Sequence, residues 1–166
     1  MCIQFCENRW IDAYDPTIEN IFTKETKLNN KTYHLSLVDT AGQDEYSLVP
    51  KSYSVDIDGY VFVYAIDSMK SFQVMESIYE KILELGGRNH VPIILIGNKS
   101  DLINDREVPE MEGKKLAEQW NIPFREVCAR DLTTVKSIFE LILTQIEIAN
   151  GNLKPQRNSN RDCVIS

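Results

Sequence analysis

The stretch VPIILIGNKSD, at residues 91–101, decides the fold of this chain. Its apolar part, Pro92–Ile96, is continuous and short, which predicts a strand buried on both faces in a parallel sheet. The polar part begins after Gly97, where that strand is expected to end. Ligands of open α/β sheets bind beyond the carboxyl ends of the strands, so this polar end is a candidate binding loop.

Segments typical of strands and of helices alternate on both sides of this stretch. The predicted strands are Ile21–Leu28, Thr32–Asp39, Tyr60–Ile66, Pro92–Ile96 and Pro123–Cys128. The predicted helices are residues 1–10, Ser71–Leu85, Pro109–Trp120 and Thr133–Asn150. The connection Asn29-Asn30-Lys31 predicts a hairpin between the first two strands. The whole pattern predicts an α/β fold with a mostly parallel sheet and an antiparallel hairpin.

Length, charge and composition argue against several classes of protein. The 166 residues divide into one predicted domain, residues 1–151, and a polar tail, residues 152–166. The net charge of −7 argues against nucleic acid as a partner, because proteins that bind it carry basic patches. The four cysteines and two histidines do not fall at metal-ligand spacings, which argues against a metalloenzyme. No apolar run approaches the roughly 20 residues of a membrane span and the first residues do not resemble a signal peptide, so we expect a cytosolic protein.

The segment Asn98-Lys99-Ser100-Asp101 has the chemistry to recognise guanine. A carboxylate such as Asp101 accepts two hydrogen bonds side by side, and the N1–H and N2–H₂ groups of guanine donate two in that arrangement. Adenine has no such pair of donors, so a buried Asp101 would reject it. Asn98 can bridge the base and neighbouring loops, and the stem of Lys99 can lie over the ring. The alternative is an ordinary turn, because all four residue types are turn formers.

The segment Asp39-Thr40-Ala41-Gly42-Gln43 follows another predicted strand and suits the phosphate end of a nucleotide. Asp39 can hold Mg²⁺ through a water molecule, and Gln43 can orient an attacking water molecule. Gly42 has no side chain, so its N–H can approach a γ-phosphate closely. The alternative is a strand followed by a glycine turn. A further strand ends in Cys128-Ala129-Arg130, and the convergence of these segments at strand ends favours a ligand site.

Motifs along the chain resemble, in order and spacing, those of the Ras-family small GTPases. They are YDPTIEN at 14–20, DTAGQDEYS at 39–47, GNKSDL at 97–102 and CAR at 128–130. The similarity covers residues 1 to about 150 and is greatest to the Rheb branch, judged by Asn20 and the stretch at 47–64. The resemblance implies the P-loop NTPase (Ras-like) fold of a G domain, with GTP/GDP and Mg²⁺ as ligands and GTP hydrolysis as the activity.

The resemblance also implies a role for each motif residue. Thr17 would bind Mg²⁺ and contact the γ-phosphate, and it would act with Gln43 in catalysis. Asp39 would also hold Mg²⁺, and Gly42 would belong to the second switch with Asp39 and Gln43. The residues implied to read or cover the base are Asn98, Lys99, Asp101, Ala129 and Arg130, with the Ala129 N–H meeting guanine O6.

The chain departs from the family pattern in two respects. Cys128 and Arg130 replace the usual serine and lysine beside Ala129. In addition, the phosphate-binding motif GxxxxGKS/T does not occur in the 166 residues, and the first strand of the family is missing with it. We expect the sequence to be an N-terminally incomplete G domain, either a fragment or an internal-start product. Losing four charge-assisted hydrogen bonds would cost about 6 kcal/mol, more than about four decades of affinity.

The carboxyl end predicts a lipid anchor. Residues 163–166 form a CaaX box, and the terminal serine favours a farnesyl group on Cys163. A single prenyl chain binds weakly, so we expect the cytoplasmic face of membranes together with the cytosol. The resemblance implies a GTPase-activating protein, a prenyltransferase and a TOR-type kinase complex or other Ras-like effector as partners. The alternative function is a truncated, prenylated interaction module with impaired nucleotide binding.

Overall fold

The computed structural model describes residues 1–10, 19–40, 42, 56–86 and 91–154. In chain order the elements are α1 (Cys2–Glu7), β1 (Glu19–Leu28), β2 (Lys31–Thr40), β3 (Tyr60–Ala65), α2 (Met69–Gly86), β4 (Ile93–Asn98), α3 (Glu110–Trp120), β5 (Phe124–Glu126) and α4 (Leu132–Ala149). A short 3-10 helix, Ile103–Asp105, lies between β4 and α3. The predicted helices and strands are confirmed within a few residues at their ends. The division between domain and tail at residue 151 stays a prediction.

The strand β4 is the centre of a three-stranded parallel sheet in the order β3-β4-β5. Its residues Ile94, Leu95 and Ile96 are fully buried, as expected for a strand covered on both faces. The strand β3 pairs with β4 along its whole length, from Tyr60 to Ala65. Because parallel strands end at the same edge of a sheet, the loops after β3, β4 and β5 are neighbours.

Helices cover both faces of this sheet. On one face α2 and α3 pack together through Tyr79 and Trp120, whose rings stack at a centroid distance of 3.7 Å. On the other face α4 packs Ile138 into a cluster with Ile94 and Ile96. None of the helices in the described ranges combines the length and the apolar character that crossing a membrane needs.

The strands β1 and β2 form the predicted antiparallel hairpin. Leu28 pairs with Lys31, so the turn consists of Asn29 and Asn30, whose φ angles are 49° and 63°. Both angles lie in the left-handed region that two-residue hairpin turns require, and asparagine tolerates this region better than most residues. Lys31, which the sequence placed in the connection, therefore begins β2 instead.

Across the described residues the hairpin is a sheet of its own, without ladder hydrogen bonds to β3. It is held by α1 and α4, because Phe5 of α1 stacks on Phe139 of α4 at a centroid distance of 3.9 Å. Leu35 and Leu37 of β2 pack against this aromatic pair. The predicted α/β class with a parallel sheet and an antiparallel hairpin is confirmed, and the parallel part consists of β3, β4 and β5.

Candidate functional site

The loop after β4 carries the first group of predicted site residues. Asn98 is the last residue of β4, and Lys99 adopts a φ angle of 65°, in the left-handed region. The Ser100 N–H donates a hydrogen bond of 3.0 Å to the Val127 carbonyl, and the Leu102 N–H donates one of 2.9 Å to the Lys99 carbonyl. The chain therefore leaves its central strand through a tight, hydrogen-bonded turn.

Asn98 connects this loop to the loop after β5. Its Oδ1 accepts a hydrogen bond of 3.1 Å from the Ala129 N–H, and the side chain of Ala129 is buried. Asn98 is predicted to contact both the base and a neighbouring loop, and this hydrogen bond is the contact with the neighbouring loop. The Ala129 N–H, which the resemblance assigned to guanine O6, is already engaged by Asn98. A bound base would have to share this donor or displace Asn98 from it.

Asp101 stands on the open side of the same loop, with 38% of its side chain exposed. A hydrogen bond from the Cys128 thiol is the main cause that lowers the pKa of Asp101 from its ordinary value of 3.8. Burial, followed by that same hydrogen bond, raises the pKa of the Cys128 thiol, so the sulfur keeps its proton and can donate. The Asp101 carboxylate is therefore held in its charged, acceptor-only form, which reading two guanine donors requires.

Arg130 lies beside Asp101, with its Nη1 3.9 Å from the carboxylate Oδ2. Its guanidinium carbon is 5.5 Å from the centroid of the Trp10 ring, a cation–π distance. The Arg130 carbonyl accepts a hydrogen bond of 2.9 Å from the side-chain amide of Gln4. Sequence reasoning missed Gln4 and Trp10, because contacts between residues so far apart in the chain leave no local pattern.

Lys99 forms an ion pair with Asp67, which sequence reasoning also missed. The Lys99 Nζ lies 2.8 Å from the Asp67 Oδ2. Asp67 follows β3, the strand that pairs with β4, so both residues belong to loops at the same edge of the sheet. The sequence does contain a signal for Asp67, because it is a polar residue just after a buried strand. The other candidate segments were chosen by the same feature.

The predicted phosphate end is described only in part. Asp39 is half-buried near the end of β2, and burial raises the pKa of its carboxyl group. Burial, with the charge of Asp39 as the second cause, raises the pKa of the Cys2 thiol to about 12. A Cβ atom added to Gly42 would meet nothing within 4 Å among the described atoms. Thr17 and Gln43 lie outside the described residues.

The structure thus brings together the residues predicted to read the base, whereas it describes only part of the predicted phosphate set. The residues gathered in the loops after β4 and β5 are Asn98, Lys99, Asp101, Ala129 and Arg130. Cys163, the lipidation candidate, also lies outside the described residues. Within the ranges that the structure describes, no group of three or more His, Cys, Asp or Glu side chains could hold a metal ion. Asp39 does offer a carboxylate, and Mg²⁺ commonly takes one or two carboxylates together with substrate phosphates.

Comparison with known proteins gives a consistent result along the whole chain. The family model described as the Ras family matches residues 1–148. The chain is 50% identical over 166 residues to the GTP-binding protein Rheb homolog of Drosophila melanogaster, a match that covers 100% of this chain and 89% of that protein. It is 46% identical over 159 residues to the GTP-binding protein Rheb of Homo sapiens, covering 96% of this chain and 86% of that protein. For the GTP-binding protein Rheb homolog 1 of Caenorhabditis elegans the identity is 43% over 160 residues, with coverages of 96% and 77%.

Proposed function

The chain belongs to the Ras family, and from this membership we propose that it is a molecular switch that binds GTP and GDP and hydrolyses GTP. By homology it is a Rheb-like small GTPase. One observation carries the proposal beyond family membership. A charged carboxylate, Asp101, stands at the carboxyl end of the central strand, beside the loop that holds Ala129.

Different residues would contact the edge and the faces of guanine. Asp101 would accept hydrogen bonds from N1–H and N2–H₂, a pair of donors that adenine lacks. The lowered pKa of Asp101 supports this role, because a protonated carboxyl group would lose acceptor capacity toward the base. Asn98 and Ala129 would contact the edge near O6, and the stems of Lys99 and Arg130 would cover the ring.

The phosphate end would be formed by the YDPTIEN and DTAGQ motifs. Thr17 and Asp39 would hold Mg²⁺, which when bound offsets the negative charge of the β- and γ-phosphates. Gly42 would offer its N–H to the γ-phosphate, because it has no side chain to prevent a close approach. Gln43 would orient the attacking water molecule. The resemblance of both motifs to those of the family is the support for these roles.

The bound nucleotide would control which partners the protein engages. The γ-phosphate would order the loops around Thr17 and Gly42, and its hydrolysis would release them. A GTPase-activating protein would accelerate that hydrolysis by about 10³–10⁵. In its GTP form the protein would engage a TOR-type kinase complex or another Ras-like effector.

The carboxyl end would attach the protein to membranes. The CaaX sequence supports transfer of a farnesyl group to Cys163 by a prenyltransferase. A single prenyl chain binds a bilayer only reversibly, so the protein would exchange between the cytoplasmic face of membranes and the cytosol.

Single-turnover hydrolysis of GTP in the presence of Mg²⁺ tests the proposed activity. At GTP concentrations high enough to saturate it, the wild-type chain is expected to hydrolyse GTP slowly. Gln43→Leu should lower the rate at least about 10-fold with GDP affinity unchanged, because leucine cannot orient water. Gln119→Leu is the matched control, since Gln119 is exposed on α3, and its rate should equal that of the wild type.

Each outcome of this experiment decides a different part of the proposal. Hydrolysis no faster than in protein-free buffer would contradict the GTPase activity. Equal rates for wild type and Gln43→Leu would contradict the role of Gln43 alone. A chain without saturable guanine-nucleotide binding would favour the truncated, prenylated interaction module instead.

A further inference from the structure

The ion pair between Asp67 and Lys99 joins two loops at the edge of the sheet where the base would bind. The Lys99 Nζ and the Asp67 Oδ2 are 2.8 Å apart, and 47% of the Lys99 side chain is exposed against 19% of the Asp67 side chain. The shielded partner is therefore the carboxylate, and the exposed partner is the lysine that belongs to the base-reading set. With this difference in exposure, the shielded Asp67 carboxylate can restrain the longer, more exposed Lys99 side chain.

The residues just before Asp67 are held by hydrogen bonds to other segments. The N–H of Ile66 donates a hydrogen bond of 3.0 Å to the Asn98 carbonyl, and the Ile66 carbonyl accepts hydrogen bonds of 2.8 Å and 2.9 Å from the N–H groups of Glu107 and Val108. Ser71 fixes the other side of this turn, because its hydroxyl contacts both the N–H and the carbonyl of Ala65. The turn that carries Asp67 is thus fastened to β4 and to the segment before α3.

One carboxylate oxygen of Asp67 is paired with Lys99 and the other is not. Its second oxygen, Oδ1, is buried and finds no hydrogen-bond partner in the part of the chain that the structure describes. Lys99 in turn has a left-handed backbone, with a φ angle of 65°, a conformation that an L-residue keeps only where its surroundings favour it. The ion pair therefore joins a shielded carboxylate to a lysine whose backbone already has an unusual conformation.

We propose that Asp67 is a positioning residue for the base, because it holds the Lys99 ammonium so that the Lys99 stem lies along the face of the ring. This inference rests on the proposed function. Lysine has a long, flexible side chain, and ordering it at the moment of binding would cost affinity. The ion pair orders that side chain in advance. Asp101 reads the edge of the base, so Asp67 would strengthen binding without changing which base is preferred.

Dissociation of fluorescent GDP from the full chain tests the positioning role. Asp67→Ala should accelerate dissociation about 2- to 5-fold, the effect of losing one partly exposed ion pair. Asp67→Asn, which keeps the shape and one acceptor, should have a smaller effect in the same direction. The preference for GDP over inosine diphosphate, which lacks the N2 amino group, should stay unchanged in both variants. Glu112→Ala is the control, because Glu112 forms a more exposed ion pair with Lys115 on α3, and its dissociation rate should equal that of the wild type.

A double-mutant cycle with Lys99→Ala separates positioning from general support of the fold. If Asp67 acts through Lys99, then Asp67→Ala in the Lys99→Ala background should accelerate dissociation no further. Additive effects, or a changed preference between GDP and inosine diphosphate, would overturn the positioning role. Normal wild-type binding with no effect of Asp67→Ala would overturn it as well, while leaving the proposed function intact. A wild-type chain that binds no guanine nucleotide would overturn both.

Discussion

At the scale of single residues, the proposed function makes Asp101 the residue that selects the base. Asp101→Asn replaces an acceptor oxygen by an NH₂ donor, which opposes the N2–H₂ of guanine but pairs with the C2 carbonyl of xanthine. We expect guanine-nucleotide affinity to fall at least about 100-fold and xanthine-nucleotide affinity to rise by a similar factor. Competition of GDP and xanthosine diphosphate against a fluorescent nucleotide measures both changes.

Asp105→Asn is the matched control for this exchange, because Asp105 is an exposed aspartate in the neighbouring 3-10 helix. It should leave both affinities unchanged. An equal loss of guanine and xanthine nucleotides in Asp101→Asn would mean that the carboxylate supports its loop and does not read the base.

The thiol of Cys128 keeps Asp101 charged at acid pH. Because its hydrogen bond lowers the pKa of Asp101 from 3.8, the stabilising effect of the charged form is fully present above that value and is lost as the pH falls through the lowered pKa. Cys128→Ala removes the donor, so the pKa of Asp101 should rise back toward 3.8 and the stabilising effect of the charged form should shrink. A carboxyl ¹³C NMR titration measures this pKa directly.

The conservative exchange Cys128→Ser provides the comparison for this titration. Serine retains a hydroxyl donor, so the pKa of Asp101 should stay below its ordinary range. If Cys128→Ala leaves the titration curve where it is in the wild type, the thiol is not the cause of the shift.

At the scale of secondary-structure elements, one ion pair fastens the segment before α3 to β5. Arg106 donates hydrogen bonds of 2.7 Å to each carboxylate oxygen of Glu126. The two side chains are only 24% and 12% exposed. Arg106→Met leaves a mostly buried carboxylate without its partner, so it should lower the free energy of unfolding by about 2 kcal/mol. Urea denaturation measures this change.

Two further variants show whether the uncompensated charge is responsible. Adding Glu126→Gln to Arg106→Met should restore at least about half of the lost stability, because the buried charge is then gone. Lys114→Met removes an exposed ion pair with Glu110 and should cost less than about 0.5 kcal/mol. Equal costs for Arg106→Met and Lys114→Met would contradict this view of the Arg106 contact.

The elements themselves follow from local sequence, whereas several of their contacts do not. The apolar run at 92–96 predicts β4 and the paired asparagines predict the hairpin, because both depend on residues close in the chain. The start of β2 at Lys31 was missed because it depends on left-handed φ angles at both Asn29 and Asn30. The hydrogen bond from Gln4 to the Arg130 carbonyl joins α1 to a loop 126 residues away, which periodicity cannot indicate.

At the scale of the whole molecule, the site would bind an anionic ligand in a chain whose net charge is −7. The overall field disfavours such a ligand, so local groups have to offset it. The rule that ligands bind beyond strand ends predicted the gathering of the base-reading loops. Asp67 and Trp10, which hold Lys99 and Arg130, became visible only once the fold had joined distant segments. The phosphate-end roles of Thr17 and Gln43 stay predictions.

Competition between GDP and ADP for the purified 166-residue chain, with Mg²⁺ and fluorescent GDP as the bound probe, tests guanine recognition most directly. Base reading by Asp101 predicts that GDP displaces the probe at a concentration at least about 100-fold lower than ADP does. Equal displacement by the two nucleotides would contradict a guanine-specific site at the end of β4.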